Sequence, residues 1–500
     1  MSDPRFIIAL DQGTTSSRTI VFDRAGRKMA TAQRELTQHY PKSGWVEHDA
    51  NEIWSTQYET LVEVMASLNL ATTDIAAIGI TNQRETLVVW DSESGEPTGP
   101  ALVWQDRRTA DDCRRLVEAG FEAEVSERTG LRLDPYFTGT KLAWMLREIE
   151  GLRDRAERGE ILAGTIDTWL LWKLTKGGVH ATDASNASRT LLLNIETGEW
   201  DERMIEMLDI PRAMLPEVKD SVGVFGCVAE GLVAAGVPIA GMAGDQQAAL
   251  FGQGCFINGM VKNTYGTGCF LLMQTGEKRI ISAHNLLTTV AWRIGGKLHY
   301  ALEGAVFVAG AAVQWARDEL KLVDSASELS ELAASVPDAG GVICVPAFTG
   351  LGAPHWDPYA RGTITGLTRG TNRAHICRAI LESIALQSAD LIDAMRQDSG
   401  LELAQLRVDG GAAASDPLMQ IQSNLLQTEV VRPADLESTA LGAAHLAGLG
   451  IGFWTSQTEL REQSEVDQIF SPDSSVDLAT LKHDWKRAVK RAYGWASAKE

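Results

Sequence analysis

The sequence predicts an α/β protein built from two similar domains with a cleft between them. The first observation is a strand, a Gly/Thr turn and a second strand in FIIALDQGTTSSRTIVFD (Phe6–Asp23); the second is the return of that pattern in MVKNTYGTGCFLLMQ (Met260–Gln274). Each occurrence precedes further strands and then helices that alternate with strands. Because repetition of a whole-domain order indicates two related domains, we predict domains at residues 1–252 and 253–500.

Composition excludes several classes of protein. The chain has 500 residues, 44% of them hydrophobic, and a net charge of −20. A nucleic-acid partner is disfavoured because it requires a basic face. No apolar run reaches the ~18 residues that span a bilayer, the N-terminus lacks a signal-peptide pattern, and the six cysteines show no CxxC spacing. We therefore expect a cytoplasmic protein with free thiols, no integral membrane segment and no nucleic-acid partner.

The opening hairpin has the composition of a phosphate-binding loop. Two runs rich in β-branched residues, Phe6–Leu10 and Thr19–Phe22, predict antiparallel strands, and Asp11 stands where the first strand ends. Loop hydroxyls, amides and a cation can hold a phosphate chain while Asp11 reaches a metal ion. No Gly-Lys-Ser/Thr follows, so this is not a Walker P-loop, and a plain polar turn is the alternative. The loop side chains are Thr14, Thr15, Ser16, Ser17 and Arg18.

The next elements lead to a charged dipeptide. We expect a third strand within Gly26–Leu36, a helix that starts near Asp49 with Glu52 as its capping partner, and a strand at Ile75–Thr81. Arg84 and Glu85 lie immediately beyond that strand, where α/β sheets place ligands. A cation and a carboxylate can bind two neighbouring hydroxyls, one by donation and one by acceptance. The alternative is an ordinary surface ion pair.

Aromatic residues stand at two later loops. Trp104 ends an apolar run in ALVWQDRR, and Tyr136 lies in a loop that leads into a helix. Both can form the wall of a small pocket, although aromatic residues more often pack in a core. The segments that follow are predicted to be a buried helix at Asp167–Leu174 and a polar loop at Asp183–Arg189.

A second focal point is GMAGDQQAALFG (Gly241–Gly252), in which glycines lead into Asp245 and then an apolar helix. Asp is a favoured N-cap, and capping alone explains most such residues. The functional interpretation is a carboxylate kept ionised by the helix dipole and placed to accept a proton from a substrate hydroxyl.

In the second half we expect strands at Leu286–Arg293 and Lys297–Glu303 and a helix from about Gly304 to Leu320. The segment Leu406–Ser415 is predicted to be a strand that runs into a Gly-rich loop, with Ser415 as the N-cap of the next helix. Paired glycines there let a ligand lie against backbone, although a structural turn is the alternative.

These segments together resemble the FGGY carbohydrate kinases, and in particular the members that phosphorylate glycerol. The resemblance extends from about Phe6 to Trp454, and Tyr136–Glu148 and Gly362–Glu382 resemble the two signature segments of the family. It implies two actin-like, ribonuclease-H-like domains that close on ATP. The expected ligands are glycerol, ATP or ADP and Mg²⁺, and the expected assembly is a homo-oligomer (dimer or tetramer). The segments that carry it are DQGTTSSR, TNQRET, DPYFTGTK, AGDQQAALFGQ, NTYGTGCF, FVAGAAVQW, PAFTGLGAP and VDGGAAAS.

The resemblance also implies roles for individual residues. Asp11 and Asp245 would hold Mg²⁺, and Asp245 would also serve as the catalytic base. Glycerol hydroxyls would be bound by Arg84, Glu85, Tyr136, Asp245 and Gln246, and glycerol carbons would lie against Trp104 and Phe270. ATP phosphates would contact Thr14, Thr15, Ser16 and Arg18, and the second domain would bind the nucleotide through Thr267, Gly310, Gln314, Gly411 and Ser415.

Two departures from the family pattern stand out. Ser415 occupies a position near the adenine where the family commonly has Asn, and serine has a shorter reach. Some bacterial members also carry a basic Gly-rich loop that binds the inhibitor fructose 1,6-bisphosphate. The corresponding stretch here, Glu230–Val237, has no Lys or Arg, so inhibition is expected to be absent because a bisphosphate needs charge-assisted donors.

Two other functions remain open at this point. One is a kinase of the same family that acts on a pentulose or a larger polyol. The dipeptide Arg84-Glu85 argues against it, because the sugar kinases of the family have other residues there. The other is an actin- or Hsp70-like nucleotide-switched binding protein, which gives no role to a carboxylate and paired glutamines at Gly244–Gln247.

Overall fold

The computed structural model describes residues 4–473 and 478–496, which leaves out the last residues of the predicted second domain. The elements of the first half alternate strands and helices in the predicted order. The strands are β1 (Phe6–Gln12), β2 (Ser16–Asp23), β3 (Lys28–Glu35), β4 (Glu47–His48), β5 (Ile75–Asn82), β6 (Leu87–Asp91), β7 (Ala101–Leu102), β8 (Ile161–Thr165), β9 (Ala181–Asp183), β10 (Leu193–Asn194), β11 (Glu199–Trp200), β12 (Glu217–Lys219), β13 (Val222–Cys227) and β14 (Pro238–Gly244). The helices are α1 (Ala50–Ser67), α2 (Ala110–Glu118), α3 (Glu122–Thr129), α4 (Thr138–Glu148), α5 (Leu152–Glu157), α6 (Ile166–Leu174), α7 (Ala184–Ala187), α8 (Glu202–Met207) and α9 (Asp245–Gly252).

The second half repeats that alternation. Its strands are β15 (Met260–Tyr265), β16 (Cys269–Gly276), β17 (Leu287–Ile294), β18 (Lys297–Val306), β19 (Ile343–Val345), β20 (Thr363–Thr365), β21 (Gln405–Asp409), β22 (Val430–Pro433) and β23 (Val466–Phe470). Its helices are α10 (Gly310–Asp318), α11 (Ala326–Ala334), α12 (Arg373–Ser399), α13 (Asp416–Leu426), α14 (Ser438–Gly450), α15 (Gln457–Gln463) and α16 (Ala479–Ala492). No helix in residues 4–473 or 478–496 is long and apolar enough to cross a membrane.

Two mixed sheets show that the sequence repeat is a structural repeat. The first has the order β3-β2-β1-β5-β14-β13, and the second has β18-β16-β15-β21-β22-β23 with β17 added at the β18 edge. In each sheet the opening strand pairs antiparallel to the next one and parallel to the strand that follows the helix. In each, the last strand is antiparallel to its neighbour. The predicted fold class is therefore confirmed.

A large hydrophobic contact between the halves is made by α14. This helix packs against α9 and against β1, β5 and β14 of the first sheet, and its buried alanines share one core with Ile7, Ala9 and Phe22. The approach of α14 to α9 is so close that a Cβ at Gly442 would lie 1.8 Å from the Ala248 carbonyl oxygen. Only glycine is compatible with that contact.

Three local predictions are wrong. Asp49 does cap α1, but the Glu52 carboxylate accepts from the Thr37 amide and hydroxyl, so no capping box forms with Asp49. The helix expected from Gly304 starts only at Gly310, because residues 304–306 extend β18 in register with β16.

The third wrong prediction is the polar loop at Asp183–Arg189. Asp183 ends β9 and caps the short helix α7 by accepting from the Ser185 and Asn186 amides. The whole segment is buried, because most of its polar groups bond to other protein groups, many of them distant in sequence, instead of to water.

Candidate active site

Parallel strand pairing brings the predicted site residues to one edge of the first sheet. Gln12 at the end of β1 pairs with Asn82 at the end of β5, which pairs in turn with Gly244 at the end of β14. Asp11, Arg84 and Asp245 lie at or just beyond those three ends. The carboxyl edge of a parallel sheet is where α/β folds place ligands, so the register of the strands assembles the site.

Arg84 is buried rather than part of a surface ion pair. Its guanidinium donates to both oxygens of Glu303, at 2.6 Å from Nη1 and 3.0 Å from Nη2. Its Nε lies 3.3 Å from the Asp245 carboxylate, and its Nη2 donates to the Tyr136 hydroxyl at 3.4 Å. Because Glu303 holds the two terminal nitrogens, the Nε edge stays turned toward Asp245. The surface alternative is therefore wrong.

Glu85 bonds a second arginine, while its carboxylate also lies 3.6 Å from Arg84 Nε. Arg189 donates from Nε to Glu85 at 2.7 Å and from Nη2 to Glu303 at 2.9 Å. Glu85 has a φ of +60°, a region that non-glycine residues rarely occupy. Such strained conformations persist where the surroundings determine them and cluster at functional sites.

Sequence reasoning missed both Arg189 and Glu303. Glu303 carried a usable signal, because a lone carboxylate in the apolar strand LHYALEGAV must find a charged partner. Arg189 carried none, since its segment reads as a polar loop. Its Nη1 is buried with no hydrogen-bond partner in the structure.

Lys262 completes a balanced cluster of charge. Its Nζ donates to the Gln246 side chain at 2.5 Å and to Thr264 at 2.7 Å, and it bonds the Phe270 carbonyl oxygen at 3.4 Å. It is fully buried, and burial lowers its pKa. We call these three cations and three anions the charge cluster: the arginines make its ion pairs, and Lys262 interacts with Asp245 and Glu303 through its charge. Its members are Arg84, Arg189, Lys262, Glu85, Asp245 and Glu303.

The environment shifts the carboxyl groups of the charge cluster in different directions. The two arginines outweigh burial at Glu303 and lower its pKa to about 2. Burial raises the pKa of Glu85 and of Asp245, against the opposing field of Arg84. Asp245 is the most open of the three, with 31% of its side chain exposed. A carboxylate that is accessible and has a raised pKa suits a proton acceptor.

Asp245 is the first residue of α9, and the cap itself is Gly244. The capping alternative is therefore wrong in detail, since the Asp245 carboxylate accepts only the adjacent Gln246 amide at 2.7 Å. Its position at the helix N-terminus still favours the ionised form.

Trp104 and Tyr136 form one aromatic corner beside the charge cluster. Their rings meet edge to face with centroids 5.5 Å apart. The Trp104 indole donates to the Thr14 hydroxyl at 2.9 Å, which joins this corner to the opening loop. Phe270 lies on β16 opposite Ala305, and its carbonyl is the oxygen near Lys262.

The opening loop is tight and polar. The Gly13 amide donates to the Ser16 carbonyl at 2.9 Å, and Thr14, Thr15 and Ser16 are exposed or half-buried. Arg18 donates to Asp11 at 2.5 Å and lies 2.5 Å from Glu437 of the second half. Burial raises the pKa of Asp11, although Arg18 opposes it.

The residues predicted to bind nucleotide lie at a turn of the second half (Thr267), in α10 (Gly310 and Gln314) and just before α13 (Gly411 and Ser415). The Gly310 amide bonds the Gly266 carbonyl at 3.0 Å, and a Cβ at Gly310 would lie 2.6 Å from that oxygen. Thr267, Gln314 and Gly411 are exposed. Ser415 caps α13 as predicted and shares a hydrogen bond of 2.9 Å with Ser330.

Comparisons with known proteins agree with this architecture. Residues 6–252 match the N-terminal domain of the FGGY family of carbohydrate kinases, and residues 261–451 match its C-terminal domain. A glycerol kinase of Trichlorobacter lovleyi is 59% identical over 98% of this chain and 99% of its own length, and one of Aeromonas salmonicida is 58% identical over 99% of both. The chain belongs to the FGGY carbohydrate kinases, in their glycerol kinase branch.

The fold agrees with this assignment to the FGGY kinases. The crystal structure of Plasmodium falciparum glycerol kinase with ADP superposes with a TM-score of 0.93 at 36% identity, covering 98% of this chain and 99% of that one. The predicted family and the two-domain kinase fold are therefore confirmed.

Magnesium, which kinases of this kind are expected to use, fits the carboxyl edge. Asp11 and Asp245 are near enough that the charge of Asp11 raises the pKa of Asp245. Both supply the oxygen ligands that Mg²⁺ prefers. Within residues 4–473 and 478–496 no group of three or more His, Cys, Asp or Glu side chains is placed to hold a metal. Mg²⁺ at nucleotide sites commonly takes one or two carboxylates and completes its shell with phosphates and water.

Proposed function

We propose that this protein transfers the γ-phosphoryl group of ATP directly to a terminal hydroxyl of glycerol, giving sn-glycerol 3-phosphate and ADP. The observation that carries the proposal is the buried pair Arg84 and Glu85 beside the accessible carboxylate of Asp245. Two charged groups of opposite sign suit two adjacent hydroxyls. The third group, Asp245, is free to take the proton of the reacting one.

The chemistry would proceed as follows. The hydroxyl oxygen attacks phosphorus in line, the bond from phosphorus to the bridging β-γ oxygen breaks, and the hydroxyl proton passes to the Asp245 carboxylate. Bound Mg²⁺ would neutralise phosphate charge, with Asp11 and Asp245 as its candidate protein ligands. Phosphoryl transfer depends mainly on positioning and charge stabilisation, which the Thr14–Ser16 hydroxyls and amides and Arg18 would supply.

The two halves would divide this work. We propose domains at 1–252 and 253–500, the first holding glycerol and the phosphates and the second the nucleotide through Thr267, Gly310, Gln314, Gly411 and Ser415. Ion pairs from Arg84 and Arg189 to Glu303 already join the halves beside the polyol site. Closure over both substrates would exclude water that could otherwise be phosphorylated. We further propose a cytoplasmic homo-oligomer.

One assay separates this function from its alternatives: ADP release measured with glycerol, then with a panel of pentuloses and larger polyols. Glycerol is expected to give the largest kcat/KM. Activity with a pentulose but not with glycerol would contradict the proposal in favour of a related sugar kinase. Glycerol-independent hydrolysis coupled to a protein partner would favour a nucleotide-switched binding protein.

We also propose that fructose 1,6-bisphosphate does not inhibit this enzyme. The stretch Glu230–Val237 lacks Lys and Arg. The nearby Lys176 ammonium donates to the Glu230 carbonyl at 2.6 Å and so is engaged by backbone. Titrating the bisphosphate to millimolar levels in the glycerol assay tests this. Saturable inhibition that does not compete with ATP would refute it.

A further inference from the structure

A closed ring of hydrogen bonds joins the opening loop to the aromatic corner. It starts at Thr14, whose hydroxyl accepts from the Trp104 indole at 2.9 Å and whose carbonyl accepts from Gln38 Nε2 at 2.9 Å. Besides Thr14 and Trp104, the ring includes side chains for which the sequence analysis gave no role. Its members, which we call the Thr14–Trp104 ring, are Thr14, Gln38, His48, Gln83, Thr86 and Trp104.

His48 is the far point of the ring, opposite Thr14. Its Nε2 lies 2.9 Å from the Gln38 side-chain oxygen, and its Nδ1 lies 3.3 Å from the Gln83 side-chain nitrogen. Thr86 then donates to the Gln83 oxygen at 3.0 Å and accepts the Trp104 amide at 3.3 Å. His48, Gln83 and Thr86 are almost completely buried, so water does not compete for these bonds.

Every donor and acceptor in the ring is determined. Gln38 Nε2 also lies 3.3 Å from the Leu36 carbonyl, so that amide must present its nitrogen to two carbonyl oxygens and its oxygen to His48. His48 Nε2 therefore carries the hydrogen. Burial lowers the pKa of His48 to about 4, so the imidazole is neutral and its Nδ1 accepts from Gln83.

The same reasoning fixes the direction of the Thr14 hydroxyl. An indole N–H only donates, so the Thr14 oxygen is the acceptor of the bond from Trp104. The hydrogen of that hydroxyl is left to donate elsewhere, and the loop it belongs to is the proposed phosphate site. A side chain of the aromatic corner thus sets the orientation of a donor in the phosphate loop.

We propose that His48 is a positioning residue that holds Thr14 of the opening loop and Trp104 of the aromatic corner in one arrangement. Binding of the polyol against Trp104 then also fixes the position of the Thr14 hydroxyl, which would contact the ATP phosphates. This inference rests on the proposed function. His48 touches neither substrate, and it acts through Gln38 on one side and Gln83 on the other.

The test compares His48→Phe with a matched control, His445→Phe. Both remove a buried histidine, but His445 lies in α14 edge-on to Trp454 and has no link to the ring. We expect kcat/KM for the glycerol reaction to fall at least tenfold for His48→Phe, with KM for both ATP and glycerol raised. The control should stay within about threefold. His48→Gln, which keeps one donor and one acceptor, should fall between the wild type and His48→Phe.

A double-mutant cycle with Trp104→Phe decides whether the effect of His48 reaches the site through the ring. Trp104→Phe removes the indole N–H but keeps an aromatic wall. In that background His48→Phe should cost clearly less than in the wild type, because the branch to the Thr14 hydroxyl is already cut and only the branch through Gln38 to the Thr14 carbonyl is left. Full additivity, or a His48→Phe loss no larger than that of His445→Phe, would overturn the inference.

The design keeps this inference separate from the proposed function. A wild type active on glycerol with an additive cycle refutes the role of His48 and leaves the function standing. If the wild type is active only on another polyol, the proposed glycerol kinase function is refuted. The double-mutant cycle of His48 and Trp104 is then measured with that polyol. If His48→Phe does not fold, the same cycle with His48→Gln decides.

Discussion

The proposed polyol side and the proposed nucleotide side of the site are built in opposite ways. The polyol side consists of buried charged side chains that bond one another, with Arg84, Glu85, Arg189 and Glu303 each at most 3% exposed. The proposed nucleotide side consists of exposed or half-buried uncharged residues near turns that their own backbone closes, such as the one around Gly266. In the proposed function, the first binds hydroxyls with charges that are fixed during folding, and the second lets the nucleotide lie against backbone.

This difference has an energetic consequence. Five of the six groups in the charge cluster are buried, which is favourable only if each finds a partner, because an unpaired buried charge costs several kcal/mol. The polyol side should therefore tolerate substitution poorly in stability and in binding. The residues predicted to bind nucleotide carry no charge, so substitutions at them should change affinity with little effect on folding.

The largest expected effect follows from Glu303→Gln, which leaves three cations and two anions in the charge cluster. The free energy of unfolding in denaturant should fall by about 3–5 kcal/mol. The matched control is Glu63→Gln on the surface, whose ion pair with Arg34 is half exposed and should contribute at most ~1 kcal/mol. Equal effects of the two variants would contradict the comparison.

The pH dependence of Glu303→Gln sharpens the same point. The pKa of Glu303 is about 2 in the folded protein against an ordinary value of 4.5. A lowered carboxyl pKa contributes stability above its unfolded-state value and loses it as the pH falls. The stability advantage of the wild type over Glu303→Gln should therefore be complete above pH 4.5 and shrink toward pH 2. An advantage that did not change with pH would point to packing rather than charge.

Asp245→Asn tests the proton acceptor itself. The variant keeps shape and removes proton acceptance, so kcat should fall by roughly 10² or more with a smaller change in KM for glycerol. Asp201→Asn is the control, because Asp201 caps α8 with similar amide contacts outside the cleft and should leave kcat unchanged. A raised KM with near-normal kcat would reassign Asp245 to binding alone.

Arg84→Ala and Glu85→Ala should show the opposite balance. Each removes a charged hydrogen bond to a glycerol hydroxyl, which costs roughly 1.5–3 kcal/mol, so glycerol affinity should suffer at least as much as turnover. The surface pair Arg107 and Asp134, close to Tyr136 in the chain but largely exposed, provides the control. Arg107→Ala with an equal loss of glycerol affinity would show that general electrostatics, not direct contact, explains the effect.

The contrast between the two sides also explains what sequence can predict. A charged residue at the end of a predicted strand is a local pattern that the amino-acid sequence alone can show. Such patterns are enough to identify as candidates Asp11, Arg84, Glu85 and Asp245. The repeat of strand order predicts the two-domain fold in the same way. What sequence reasoning misses is non-local: Glu303 and Arg189 meet because β18 and the segment after α7 come from opposite halves of the chain.

Hydrogen-bond networks are equally beyond sequence reasoning. The ring through His48 depends on side-chain directions across several elements, and no spacing encodes them. The polar loop predicted at Asp183–Arg189 is wrong for the same reason, since polar composition normally indicates exposure. Burial of such residues depends on partners that only the folded chain brings together.

The smallest expected effect lies on the nucleotide side, at Ser415. Ser415 caps α13 and bonds Ser330, and asparagine is an equally good cap, so Ser415→Asn should leave the free energy of unfolding nearly unchanged. Asparagine reaches further toward the proposed adenine site, and one added hydrogen bond contributes about 0.5–1.5 kcal/mol. KM for ATP should therefore fall by roughly two- to tenfold while kcat and KM for glycerol stay constant. Ser415→Ala is the companion variant, which should cost about 1 kcal/mol of stability through loss of the cap. An unchanged KM for ATP in Ser415→Asn would remove this residue from the nucleotide site.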